Sequence, residues 1–194
     1  MPAPPDLVLI GPAAAGKTTI GERTAALLDV PFVDLDDVGE QYYSEVGWSI
    51  QRLADCSNQL GRVAAERLWE PARAHAVVRA VEDHPGAVLA LGAGHTSYTD
   101  PLSFAQVSAA LLAVPKVALL LPSPDRGSSL AELRRRSLAS KETDWISAGH
   151  DFLAEWLDDA GMRSLATEVV YTDAHTVESL AVQLASGSVR LPHR

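Results

Sequence analysis

One cysteine, Cys56, stands in 194 residues, so no disulfide can form within the chain. The expectation for it is a small buried hydrophobe. No stretch approaches the roughly 18 apolar residues that a membrane-spanning helix needs. Positive charge is also scarce: 16 Lys and Arg against 25 Asp and Glu leave a formal net charge of −9. A general nucleic-acid binder usually presents a basic surface, so the balance argues against that class. A small phosphorylated ligand is still allowed, because one local positive pocket suffices for it. Met1 to Asp6 show no basic region leading into an apolar stretch and do not read as a signal peptide. His75, His84, His150 and His175 have no metal-ligand spacing. There is no internal repeat and no low-complexity tract. The resulting expectation is a cytoplasmic protein without a membrane or nucleic-acid partner, present as a monomer or homodimer.

What is there is an alternation. Short apolar runs at Leu7–Ile10, Phe32–Asp34, Ala87–Leu91, Val117–Leu121 and Val169–Thr172 are rich in Val, Leu and Ile and mostly lack a polar alternate. Strands buried on both faces of a parallel sheet read this way. Between them, Ile20, Thr24, Leu27 and Leu28 keep helical spacing, as do 102–112 and 177–184. Strand–helix alternation predicts an α/β layered fold with right-handed crossovers. Pro71 lies inside the helical stretch 61–83, predicting two helices or one bent helix. Ser123–Ser129 reads as a loop, and the tail after Ser186 as frayed. The chain reads as one domain, 1–194, with its core at about 6–186.

The chemistry begins after the first strand. Gly11, Pro12, Ala13, Ala14, Ala15, Gly16, Lys17 and Thr18 match G-x-x-x-x-G-K-[ST] at every defined position, and the motif sits between a strand and a helix. Glycine at 11 and 16 permits a tight turn whose N–H groups face phosphate oxygens. The helix N-terminus adds partial positive charge. Lys17 supplies a full charge to β- and γ-phosphates, and Thr18 a hydroxyl oxygen to Mg²⁺. ATP and Mg²⁺ are therefore the expected cofactors. At the end of the second strand, Asp34 and Asp36 are spaced i, i+2, so they point the same way while the chain stays extended. Strand C-termini are where open α/β sheets bind ligands. Asp34 could hold Mg²⁺ through water and Asp36 accept a hydroxyl proton; an acidic helix cap is the structural alternative.

These features resemble the shikimate kinase family. The matches are the phosphate loop continuing through Thr19-Ile20-Gly21, Phe32-x-Asp34-x-Asp36, Gly47-x-Ser49-Ile50, Glu66, Leu91-Gly92-Ala93-Gly94 and Val169-Val170-x-Thr172. The resemblance covers about residues 6–186. It implies a P-loop NTPase fold with a five-stranded parallel sheet flanked by helices, an acceptor-binding segment at about 37–70 and a lid at about 134–149. It also implies transfer of the ATP γ-phosphoryl group to a small hydroxylated molecule. Arg135 is then the expected adenine neighbour, Arg136 or Lys141 the lid cation, and Asp173–Thr176 the adenine loop. Lys17, Asp36 and Arg136 form the catalytic set.

The sequence departs from the family at the acceptor end. The family grips its substrate carboxylate with arginines, one of which lies three residues before the Glu66 position; Val63 is there, with Arg62 one place away. One residue on a helix is a rotation of about 100°, so Arg62 is not expected to substitute in that grip. Counting places Asp158 at a second family arginine, with Arg163 five residues on. An anionic substrate needs paired cations in a desolvated pocket, so the expected acceptor is a neutral or aminated polyol, cyclitol or sugar rather than shikimate. Candidate acceptor contacts are Asp36, Arg62, Gly92, Ala93, Gly94 and His95. Trp48 and Trp69 either line the acceptor pocket or belong to the core. The alternatives are shikimate kinase proper, through shifted arginines; a nucleoside or nucleotide kinase; and, in another class, an inactive ATP-binding regulatory module.

Overall fold

A computed structural model describes residues 3–186; the expected frayed tail lies outside them. Five parallel strands, β1 (Leu7–Ile10), β2 (Phe32–Asp34), β3 (Val88–Ala90), β4 (Val117–Leu121) and β7 (Glu168–Tyr171), form one sheet in the order β2-β3-β1-β4-β7. A two-stranded antiparallel hairpin, β5 (Ile146–Ser147) with β6 (His150–Asp151), stands apart from it. The expected parallel sheet is present. Two of its strands differ at their ends from the apolar runs, and the hairpin carried no apolar alternation to announce it.

Each central strand is apolar throughout because both faces are covered. All four residues of β1 and all five of β4 are buried. Helix α1 (Lys17–Leu28) packs against α9 (Val177–Ser186), and α4 (Arg62–Asp83) packs against α2 (Leu35–Glu45), α3 (Ile50–Leu60) and α5 (Pro101–Leu111). The remaining helices are α6 (Arg126–Lys141), α7 (Phe152–Asp158) and α8 (Ala160–Leu165). Capping sets most of the boundaries. Asp34, Ser49, Asp100, Asp125, Asp151 and Asp159 each accept a backbone N–H from the first turn of the helix that follows. Asp125 thereby starts α6 at Arg126, so only the first part of the expected loop 123–129 is loop.

One further expectation is narrowed, since a single helix and not two is found at Pro71, and one is corrected. Helix α4 runs unbroken through Pro71. A proline costs one backbone bond, and the buried face of this 22-residue helix holds it together across that gap. Cys56 is half-buried, not core. It lies on α3, none of whose residues is buried.

The order of the strands matters for function. Strands β1 and β3 are neighbours, with β4 and β2 on either side. The segments leaving their C-terminal ends therefore converge: the phosphate loop after β1, Asp34–Asp36 after β2 and Gly92–His95 after β3. No helix among the described residues is long and apolar enough to cross a membrane.

Candidate functional site

The phosphate loop is shaped by positive φ. Gly11 has φ 138°, Ala14 62° and Gly16 97°. A Cβ on Gly11 would lie 2.5 Å from the Leu120 carbonyl oxygen, so β4 leaves no room for a side chain there. Gly11→Ala is expected to cost about 2–4 kcal/mol, combining positive-φ strain with overpacking. The urea midpoint of ligand-free protein checks this; an unchanged midpoint would mean that the loop is not held against β4.

Lys17 curls into the loop, and its Nζ donates to the carbonyls of Gly11 and Pro12, both at 2.8 Å. Burial pushes the ammonium down to about 8, with Asp36 opposing and Lys141 reinforcing the fall. A desolvated cation bonded to neutral carbonyls gains from an anion. Next to it, Thr18 Oγ1 donates to Asp34 Oδ2 at 2.7 Å. A hydroxyl and a carboxylate oxygen side by side are the hard donors that Mg²⁺ takes. The residues thus fit a polyphosphate with its cation.

Of the two roles expected of Asp34, the structure shows the helix cap. Its Oδ2 takes the Thr18 hydroxyl, while its Oδ1 accepts the Asp36 N–H at 3.0 Å and caps α2. Asp36 is not on extended chain, because β2 stops at Asp34 and α2 has begun by Leu35. Its side chain, 56% exposed, still faces the same cleft. That cleft has a volume of about 770 Å³, within the range of small-molecule sites.

The acceptor end is built by α4 and the short 3-10 turn Ala93–Thr96. Glu66, Trp69 and Arg73 recur at helical spacing and all reach the cleft. Arg73 is 3% exposed. Its Nη2 donates to the Glu66 carbonyl at 3.2 Å, its Nη1 lies 3.7 Å from Glu66 Oε2, and its Nε has no hydrogen-bond partner. Gly94 has no side chain because Arg73 is there: a Cβ would fall 2.0 Å from Nη1. Arg62, expected among the acceptor contacts, also reaches the cleft. It is the first residue of α4, and its long side chain turns back to Glu66 Oε1 at 3.2 Å, with the guanidinium 4.9 Å from the centre of the Trp145 ring. Glu66 thus sits between two guanidiniums.

Asp158 and Arg163 take no part. Arg126 binds Asp158 through two hydrogen bonds, 2.6 and 2.5 Å, holding its carboxyl below the usual range, and Arg163 is exposed on α8. Neither lines the cleft, so Asp158 does not invert its charge. Of the two tryptophans, Trp69 lines the cleft and Trp48 does not.

The lid region reaches the cleft through Arg135, Arg136, Lys141 and Trp145. Its first half is the end of α6, not loop. Arg135 bonds Glu132 and is 69% exposed. Arg136 bonds Glu132, Thr172 and Asp173, which ties it to the loop expected near adenine. Of the two lid-cation candidates, Lys141 is the one whose charge bears on Lys17. Arg134 pairs with Asp151, and Arg67 with Glu155 at 2.6 Å, joining the hairpin and α7 to α6 and α4.

Arg73, Trp145 and Trp156 line the cleft without having been legible there from the sequence. One signal was available for Arg73. It is a single charge set among Ala72, Ala74, Ala76 and Val77, and a cation on an apolar helix face is rarely buried without a purpose.

With this geometry in hand, comparison with known proteins gives consistent matches. The family model for shikimate kinase matches residues 13–108. The shikimate kinase of Salinispora arenicola is 30% identical over 192 residues, covering 94% of this chain and 96% of that protein. That of Stenotrophomonas maltophilia is 29% identical over 180 residues, covering 93% and 89%. The match to the Rhodococcus jostii shikimate kinase, 40% identical over 90 residues, spans about half of each chain, 46% and 47%. Among solved structures, the shikimate kinase from Acinetobacter baumannii in complex with shikimate superposes with TM-score 0.64 at 21% identity, covering 94% and 90%. At that identity the likeness speaks for the fold.

Proposed function

Because this chain belongs to the shikimate kinase family of ATP-dependent small-molecule kinases, we propose that it moves the γ-phosphoryl group to a hydroxyl of a small cyclic polyol bearing one carboxylate, with shikimate the first compound to test. The observation that carries the acceptor class is Arg73. It is a buried guanidinium with an unpartnered Nε, and it shares one carboxylate, Glu66, with Arg62. Two cations and one anion leave a surplus positive charge, buried on Arg73 and reaching solvent at Arg62, whose side chain is 44% exposed. An acceptor carboxylate would complete the set. The relatives named above as shikimate kinases support the same reading.

The earlier expectation of a neutral or aminated acceptor rested on arginines lost by counting along the chain. It survives as a second reading, favoured by Glu66 lying against both guanidiniums and by the Ala93 methyl lining the cleft.

When bound, ATP would supply the phosphoryl group and Mg²⁺ would offset part of the negative charge of its phosphates. Thr18 and Asp34 would hold the metal, and the amides of residues 11–18 with Lys17 would hold the phosphates. Asp36 orients the acceptor hydroxyl and takes its proton. Arg62 and Arg73 fix the other end of the acceptor. Lys141, from the lid side, adds positive charge near Lys17, and the lid keeps water from the transferring group.

The test is ADP release over a panel: shikimate, its uncharged methyl ester, neutral cyclitols, amino sugars and nucleoside monophosphates. Turnover of shikimate with the ester at least tenfold poorer supports the proposal. Turnover of neutral or aminated compounds alone moves the assignment to the second reading. Nucleoside monophosphates alone would make it a nucleotide kinase, and tight ATP binding with no productive acceptor would favour a regulatory module. Arg73→Met is expected to raise KM for the carboxylated acceptor about 10- to 100-fold, the worth of a charged hydrogen bond, while KM for ATP stays within about twofold. Equal changes in both would remove Arg73 from the acceptor site.

A further inference from the structure

Behind the proton-accepting carboxylate lies a buried pair of side chains that the mechanism above does not use. Tyr43 and His95 are both about 2% exposed. The Tyr43 hydroxyl and His95 Nε2 are 2.7 Å apart. The other ring nitrogen, Nδ1, is buried without a hydrogen-bond partner, and it faces Asp36 Oδ1 at 3.7 Å. Gly92 lies between them. A Cβ there would come within 2.1 Å of Asp36 Oδ1 and 2.7 Å of His95 Nδ1. Yet Gly92 has φ −58° and ψ 155°, a conformation open to any residue. The backbone does not require glycine here; the approach of imidazole to carboxylate does.

We propose that His95, oriented by Tyr43, is a positioning residue that holds the Asp36 carboxylate through an Nδ1–H hydrogen bond as the acceptor seats. The inference rests on Asp36 being the group that takes the acceptor proton. The tautomer follows from hydrogen-bond accounting. Burial raises the Tyr43 pKa, so the hydroxyl keeps its proton and needs an acceptor. Nε2 is that acceptor. Burial, reinforced by Arg73, also pushes the imidazole down to about 3, so the ring is neutral at pH 7 and its one proton sits on Nδ1. The opposite tautomer would leave the Tyr43 proton unpartnered and aim a lone pair at a carboxylate. A 3.7 Å contact is too long for a hydrogen bond, and such contacts in unliganded sites tighten in the reactive complex. In the transfer, the acceptor O–H bond breaks and its proton goes to Asp36. The acceptor O–P bond forms, the bond from phosphorus to the β-bridging oxygen breaks, and ADP leaves with that electron pair. His95 keeps its proton throughout.

Three variants separate this from a structural role. Asparagine places an N–H near Nδ1 but loses Tyr43; glutamine reaches towards Tyr43 but loses Asp36. Relative to His95→Gln, whose kcat should fall roughly ten- to a hundredfold, His95→Asn should recover most of the kcat despite a lower melting temperature. Gly92→Ala, which wedges the pair apart, should match the glutamine variant in kcat at unchanged KM for ATP. A kcat that follows melting temperature across the three, or an unimpaired Gly92→Ala, would overturn the proposal. The ¹⁵N spectrum of the imidazole in unliganded enzyme provides an arm that needs no acceptor. Protonation at Nδ1, with a resonance that moves in Asp36→Asn, is expected; protonation at Nε2 would overturn the inference even if the acceptor assignment stands. If no panel compound is turned over, that failure belongs to the acceptor assignment, and the spectrum still decides this one.

Discussion

Lys17→Ala is expected to abolish the stabilisation of this protein by ATP. At a free ATP–Mg²⁺ concentration about 100 times the Kd, a ligand that binds only the folded state adds about 2.7 kcal/mol. For a chain of this size that is roughly 5–10 °C in Tm. The variant should show no shift at the same concentration. The reason is local. The Lys17 ammonium is desolvated, held down to about 8 and, among the described residues, hydrogen-bonded to the carbonyls of Gly11 and Pro12. It gives up those contacts for phosphate oxygens, and alanine has nothing to offer them. In the absence of ATP, the variant should melt close to the parent, because the lost bonds are two side-chain contacts to a loop. Differential scanning fluorimetry with and without ATP measures both quantities. A shift of normal size in the variant would mean that the triphosphate is held elsewhere.

Asp36→Asn should act on the other side of the chemistry. The amide keeps the shape of the carboxylate but cannot take a proton from the acceptor. Loss of a general base costs about 10²–10⁴ in rate, so kcat should fall by that factor while ATP binding and its thermal shift persist. The separation is expected because Asp36 acts on the phosphate loop only through its charge near Lys17, whereas Asp34 bonds Thr18 directly. Steady-state kinetics with the acceptor found in the panel reads this outcome. A loss of less than about threefold would reassign Asp36 to orientation alone. The pair of results divides the cleft into a nucleotide half and an acceptor half without a bound ligand.

The two halves differed in how far they could be read from sequence. The phosphate loop is a contiguous motif, and contiguous residues stay together in any fold that makes a strand–turn–helix. Gly11, Gly16, Lys17 and Thr18 were therefore in hand at once, as was Asp34, one strand away. In the acceptor half, counting along the chain stood in for position in space. The one-residue offset at Arg62 counted for less than the length of its side chain and its place at the start of α4. Asp158, placed by counting at a family arginine, pairs with Arg126 outside the cleft. Arg73, 37 residues beyond Asp36, is brought to the cleft about three turns after Arg62 on a helix that Pro71 does not break.

The amino-acid sequence by itself determined the layered α/β class, the order of the strands along the chain and a motif of the kind that binds a triphosphate. Each of these depends on local pattern: apolar runs without alternation, and a loop whose backbone conformation glycine permits. The tertiary structure alone decided which charges face one another. Glu66 between Arg62 and Arg73 is a ladder along one helix, α4, which only packing aims at the cleft, whereas His95 between Tyr43 and Asp36 joins the turn after β3 to α2. Electrostatic interaction depends on distance through space and on burial. Neither quantity exists until β1, β2 and β3 are laid side by side and α4 is packed over their ends.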